Sequence, residues 1–209
     1  MPIAKPVALV GRRPPAAREP GSTGDWVLPD KLEPPRLHLD AVRRDRLLTH
    51  LDAGIGVPLT LLLAPPGFGK TTLLAQWHAH LLERGTVDAA WLSLDEDDAE
   101  PGRLLAYLGL ALGVTAGEAG ATPLGGLHWR ELDLAALRTA LLRAIRCTQR
   151  PLVLVLDDYD RAACPRNDEL ITLLVEHGGP HLHVLLATRR APALPLAPLL
   201  WLRLTPPST

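Results

Sequence analysis

The sequence predicts an α/β fold: a parallel sheet covered by helices on both faces, three layers of α/β/α. The first observation is that the candidate strands Leu59 to Leu63, Leu152 to Leu156 and Leu182 to Ala187 are apolar but for Thr60 and His183. A strand with one wet face alternates apolar and polar residues, whereas one buried on both faces does not. Secondly, these runs alternate with segments of helical period, the pattern of parallel strands joined by crossover helices. Thirdly, each run ends in a polar cluster: Ala64 to Thr72, Asp157-Asp158 and Thr188-Arg189. Open parallel sheets gather ligands at the carboxyl ends of their strands.

The elements follow in order. Residues 1 to 30 hold many Pro, Arg and Gly residues without apolar period and read as a flexible tail. Asp40 is a candidate cap for a short helix through Val42, Leu47, Leu48 and Leu51. After the strand Leu59 to Leu63, one helix face is marked by Leu73, Leu74, Trp77, Leu81 and Leu82. Ala89 to Leu94 reads as a strand and leads into the acidic stretch Asp95 to Asp98. Leu104, Leu105, Leu108 and Leu112 mark the next helix, and Gly113 to Gly126 reads as a variable loop. Leu134, Leu137, Leu141 and Ile145 form another amphipathic face. Asn167 or Asp168 is the expected cap of a helix carrying Leu170, Leu173 and Leu174. Leu200 to Leu204 is a candidate last strand, and 205–209 a short tail, so the expected domain spans 31–204.

Composition narrows the function classes. The chain has 209 residues, the length of one α/β domain, and 47% of them are hydrophobic, enough for a real core. A formal net charge of -1 disfavours nucleic-acid binding by bulk charge. No apolar run approaches the roughly 18 residues of a membrane span, and the N-terminus lacks the apolar core of a secretory signal. Cys147 and Cys164 have no metal-site spacing and read as buried or free thiols of a cytoplasmic protein. His78 and His80, or His181 and His183, lack partners at ligand spacing and read as surface or half-buried histidines. The acidic stretch Asp95 to Asp98 reads as a solvated loop, and Trp77 and Trp91 as core.

Ala64-Pro65-Pro66-Gly67-Phe68-Gly69-Lys70-Thr71, followed by Thr72, fits the phosphate-binding P-loop, with Ala64 where glycine is more usual. Gly67 and Gly69 let backbone N–H groups close around phosphate oxygens. The helix starting near Lys70 aims its positive end at the same anion. Lys70 can reach the β- and γ-phosphates, and the Thr71 hydroxyl can ligate Mg²⁺. The run ending in Asp157-Asp158 resembles a Walker B element. There Asp157 holds Mg²⁺, and Asp158 orients or deprotonates the attacking water. Arg189, at the end of the following strand, is a candidate γ-phosphate contact.

The chain resembles the ATPase module of the MalT-like, LuxR-type large ATP-binding transcription regulators, within the STAND class of P-loop NTPases. Lys31-Leu32 with Pro34-Pro35-Arg36, Val42-Arg43-Arg44 with Leu47-Leu48, and Ala64 to Thr72 with Gln76-Trp77 carry that likeness. So do Trp91 to Asp95 with Tyr107-Leu108, Leu154 to Tyr159, and Thr188-Arg189 with Pro192 and Leu194. The resemblance covers about 30–204 and implies a parallel-sheet P-loop NTPase that binds ATP or ADP with Mg²⁺. It also implies that residues 31 to 48 cover the adenine and ribose, with Arg44 a contact. Asp160 stands where the family often has His, and Thr188 where Ser is common. The sequence ends at Thr209, before the family's winged-helix, helical-repeat and helix-turn-helix regions. This chain alone is therefore expected not to bind DNA or sense an inducer. The expected function is a slowly hydrolysing nucleotide switch, a weak ATPase that could self-associate or contact other regulator domains. The alternatives are a small-molecule kinase and a non-catalytic nucleotide-binding interaction domain.

Overall fold

A computed structural model describes residues 26–37, 41–113, 115–116, 122–123, 129–194 and 200–204. Its strands are β1 (Leu59–Leu63), β2 (Asp88–Ser93), β3 (Thr115–Ala116), β4 (Thr122–Pro123), β5 (Leu152–Asp157), β6 (Leu182–Thr188) and β7 (Leu200–Arg203). Its helices are α1 (Asp45–Gly54), α2 (Lys70–Arg84), α3 (Pro101–Ala111), α4 (Leu134–Arg146), α5 (Tyr159–Ala162) and α6 (Pro165–His177). Five strands form one parallel sheet in the order β2-β5-β6-β1-β7. Strands β3 and β4 pair separately and antiparallel.

Strand pleating sorts the side chains into two cores. On one face Leu154 and Leu156 of β5 join Leu59 and Leu61 of β1 and Val184 and Leu186 of β6. They pack against Leu104 and Leu108 of α3, Leu141 and Ile145 of α4, and Ile171 and Leu174 of α6. On the other face Val153, Val155, Leu62 and Leu185 meet Leu48 and Leu51 of α1 and Leu73, Leu74 and Trp77 of α2. Each central strand is thus buried on both sides, the cause of runs that are apolar but for the buried Thr60 and His183. The fold is the three-layer α/β/α arrangement that those runs predict. Trp77 and Trp91 are both core residues.

Register aligns the strand tips. Leu63 sits opposite Thr188, and Ser93 opposite Asp157. Because β6 lies between β1 and β5, the segment after Thr188 falls between the glycine-rich loop and the Asp-Asp pair.

Several local expectations change. The helix expected to start at Asn167 or Asp168 starts at Pro165, with Cys164 as its N-cap residue. Asn167 is instead wholly buried, and its amide donates to the carbonyls of Asp98 (2.9 Å) and Ala162 (2.7 Å). Helix α1 starts at Asp45 with Arg44 at the N-cap; Val42 precedes it and is exposed. Asp40, residues 1–25 and the tail 205–209 lie outside the described residues. Trp26, placed in the expected tail, is buried edge-on against the Tyr107 ring, whose hydroxyl donates to the Trp26 carbonyl at 2.9 Å.

The acidic stretch differs most from the sequence reading. Glu96–Ala99 forms a 3-10 turn closed by a capping box between Asp95 and Asp98. Asp98 is fully buried. Lys31, also buried, donates to Asp98 and, at 3.0 Å, to Asp95, and its ammonium lies 4.6 Å from the centre of the Tyr107 ring. Arg103 adds a second cation, 3.2 Å from Asp98 but outside hydrogen-bond geometry. Short acidic runs in loops are usually solvated; here a lysine distant in sequence draws one inward.

Candidate functional site

The loop between β1 and α2 turns on two glycines, Gly67 (φ +81°) and Gly69 (φ +73°). A side chain at either would be held in the strained left-handed region. A Cβ at Gly67 would meet nothing within 4 Å, so the loop is open above that residue. Helix α2 begins without a side-chain cap, which leaves its first-turn N–H groups for an external acceptor. Lys70 is buried and bends back into the loop. Its ammonium donates to the carbonyls of Ala64 (2.9 Å) and, more weakly, Pro65 (3.4 Å). An ammonium has three donors, so one remains for an outside oxygen.

Asp157, the last residue of β5, is buried beneath this loop. Burial pushes its carboxyl above the usual range. A hydrogen bond from the Thr71 hydroxyl opposes the shift, as do the Asp158 N–H and the charge of Lys70, while Asp158 reinforces it. A hydroxyl and a carboxyl paired in this way are oxygen donors suited to a small divalent cation, whose charge would drive the carboxyl to ionise.

Asp158 is the one non-glycine residue with positive φ (53°) among the described residues. Its N–H is held by the Asp157 carboxylate at 3.0 Å. This left-handed turn directs the chain into α5 and leaves the Asp158 side chain partly exposed, where it lines the cleft. Arg189 enters from the end of β6, with its guanidinium 3.8 Å from Asp158 and 3.7 Å from Asp160.

Together these groups line a cleft of about 340 Å³ formed by Pro66, Gly67, Gly69, Lys70, Thr71, Thr72, Asp158 and Arg189. Of the remaining residues singled out from the sequence, Ala64 is buried under the loop. Phe68 accepts a hydrogen bond from Arg44 through its carbonyl at 3.1 Å, so Arg44 braces the loop from outside the cleft wall. The open backbone above Gly67, the free donors of α2 and Lys70, and the Thr71–Asp157 pair suit a phosphate chain with a divalent cation.

Two contacts near the site were not foreseen from the sequence. Asp160 was noted as a departure from the family but given no role; its carboxylate holds Arg189. Tyr159 lies wholly in the core, its hydroxyl donating to Asp168 at 2.7 Å. Burial, reinforced by that bond, pushes its phenol far above the ordinary value.

Comparison with known proteins places the chain. Residues 42–186 match the family model of the AAA ATPase domain. The HTH-type transcriptional regulator MalT of Cronobacter sakazakii is 33% identical over 172 residues, 82% of this chain. MalT of Serratia proteamaculans is 35% identical over 173 residues, again 82% of this chain. The chain spans 18% of the length of each of these relatives. The crystal structure of Cdc6p from Pyrobaculum aerophilum superposes with a TM-score of 0.55 at 16% identity, over 76% of this chain and 42% of that one, a likeness of fold alone. No helix among the described residues is long and apolar enough to cross a membrane. The family match over most of the chain and the two MalT relatives, taken with the loop and strand tips described above, establish that the chain belongs to the AAA ATPase domain family as a MalT-like NTPase module.

Proposed function

We propose that this chain is the nucleotide switch of a signal-responsive transcription regulator, binding ATP or ADP with Mg²⁺ and hydrolysing ATP slowly in the cytoplasm. The observation that carries the reading is the convergence of Lys70, Thr71, Asp158 and Arg189 on one cleft, with Asp157 directly beneath. Backbone N–H groups of Gly67 to Thr72 and the Lys70 ammonium hold the β- and γ-phosphates. Thr71 and Asp157 hold Mg²⁺, which supplies charge neutralisation at the phosphates when bound. Asp158 orients and deprotonates the attacking water, and Arg189 contacts the γ-phosphate. Arg44, through its hold on Phe68, fixes the loop and flanks the nucleoside. Regulator function, DNA recognition and self-association belong to the whole protein, of which the MalT relatives suggest the plan.

Single-turnover hydrolysis of pre-bound ATP tests the assignment. Asp158→Asn should keep ATP binding and lower turnover, by about 10²-fold where general-base action matters. Asp157→Ala should weaken Mg²⁺-dependent binding. Equal hydrolysis by wild type and Asp158→Asn would favour a purely binding module, and phosphate transfer to a metabolite instead of water would favour a kinase.

A further inference from the structure

Arg189 is held at two points by one side chain. Its backbone N–H donates to Asp160 Oδ1 at 3.1 Å, and its Nε lies 3.7 Å from Asp160 Oδ2. Both contacts cross from α5 to the end of β6. Asp160 is mostly buried, with 12% of its side chain exposed, whereas the Arg189 side chain is 42% exposed and its Nη2 end reaches into the cleft. There Nη2 lies 3.8 Å from Asp158 Oδ1, an ion-pair distance without a hydrogen bond. Asp160 therefore hydrogen-bonds the Arg189 backbone, and the guanidinium lies at ion-pair distance, without a hydrogen bond, from Asp160 at Nε and from Asp158 at its tip.

We propose that Asp160 is the positioning residue that makes Asp158 and the γ-phosphate alternative partners for Arg189. This deepens the nucleotide-switch reading and rests on it. With its backbone held by Asp160 and its Nε paired with the same carboxylate, the guanidinium can turn its tip between partners in the cleft. With no γ-phosphate present, its tip rests on Asp158 and occupies the carboxylate that acts on water. When a γ-phosphate is present, the anion is the stronger partner for the tip, since charge-assisted contacts to phosphate favour the guanidinium fork. The turn frees Asp158. Discrimination of ATP from ADP then depends on Asp160, which touches neither nucleotide. Without Asp160, the arginine settles on Asp158, the other carboxylate at ion-pair distance among the described residues. Asp160 has this geometry because Asp158 takes the left-handed turn, which brings the first turn of α5 against β6.

The test is the ratio of dissociation constants for ADP·Mg²⁺ and ATP·Mg²⁺, measured by calorimetry on the folded chain. Wild type should prefer ATP. Asp160→Ala should reduce that preference roughly tenfold, within the usual range of coupling between sites, while ADP affinity stays within about twofold. Asp160→Asn keeps an acceptor for the Arg189 N–H and should show a smaller loss. Adding Asp158→Asn to Asp160→Ala removes the competing charge and should restore most of the ATP preference, a recovery that a merely structural role would not produce. An unchanged ratio in Asp160→Ala, equal weakening of both nucleotides, or no recovery in the double variant would overturn the proposal. Wild type that binds neither nucleotide would overturn the switch reading itself, and this inference with it.

Discussion

Replacing Lys31 by Met should destabilise the domain by about 3 kcal/mol. The size follows from its surroundings. Lys31 and Asp98 are both buried, and Asp98 has no exposed side-chain surface. Breaking a buried ion pair by removing one partner costs roughly 3–5 kcal/mol, because the surviving charge is left uncompensated. Two contacts soften the loss at Asp98: the N–H of Asp95 at 3.0 Å and the Arg103 guanidinium at 3.2 Å. They put the expected value near ~3 kcal/mol, the low end of that range. For a domain of this size the thermal midpoint should fall by roughly 6–12 °C. Urea unfolding followed by tryptophan fluorescence provides the assay, since Trp26 sits against Tyr107 in the same cluster. The deficit should also shrink in acid. Burial raises the Asp98 carboxyl, against the pull of Lys31, and losing Lys31 raises it further. A raised carboxyl weakens the fold only where it must ionise, so the penalty shrinks as pH falls below its folded value and is gone below the ordinary value of 3.8. Burial alone would also raise Asp95, but Lys31 and Arg103 hold it below the usual range, and this stabilisation too is lost in acid. A loss below about 1 kcal/mol, the size of an exposed pair, would refute the buried-clamp account.

Further perturbations test other parts of the structure. Asn167→Ala should cost roughly 2–3 kcal/mol in urea unfolding, since it strands the buried carbonyls of Asp98 and Ala162. Burial holds His183 and His78 below the ordinary histidine value of 6.5, against the upward pull of hydrogen bonds to the backbone of Val57 and Ala89. The unfolded chain therefore takes up protons first, and stability should fall as the pH drops from 6.5 towards the lowered folded values. His183→Gln should flatten the slope of urea midpoint against pH between about pH 7.5 and about pH 5.5; an unchanged slope would show that His183 does not contribute.

What was legible in the sequence was local. The nearly continuous apolar runs pointed to the sheet because burial on both faces removes alternation, and Val153 and Leu154 do pack into opposite cores. The placing of Gly67, Gly69, Asp157 and Arg189 at strand ends followed from the same reading, since a polar residue after a buried strand has little choice but the rim. Contacts that cross elements were not legible. Lys31 reaches Asp95 and Asp98 across more than sixty residues, and nothing in the run Asp95 to Asp98 distinguishes a solvated loop from a clamped one. Asp160 meets Arg189 only because β5 and β6 are neighbours in register. Asn167 looks like a helix cap by residue type, yet Pro165 starts the helix earlier and turns the amide inward. Proline's preference for the first helical turn was the overlooked signal.

The central claim is that the cleft around Lys70 binds the phosphates of ATP with Mg²⁺. Calorimetric titration of ATP·Mg²⁺ into the wild-type chain and into Lys70→Ala tests it most directly. Lys70 is the one basic residue in the loop, and its ammonium sits within it. Wild type should bind, and the variant, while retaining the wild-type circular dichroism spectrum, should lose at least about tenfold in affinity, the value of a charged hydrogen bond. Equal affinity in the two proteins would contradict the assignment of this loop as the phosphate site.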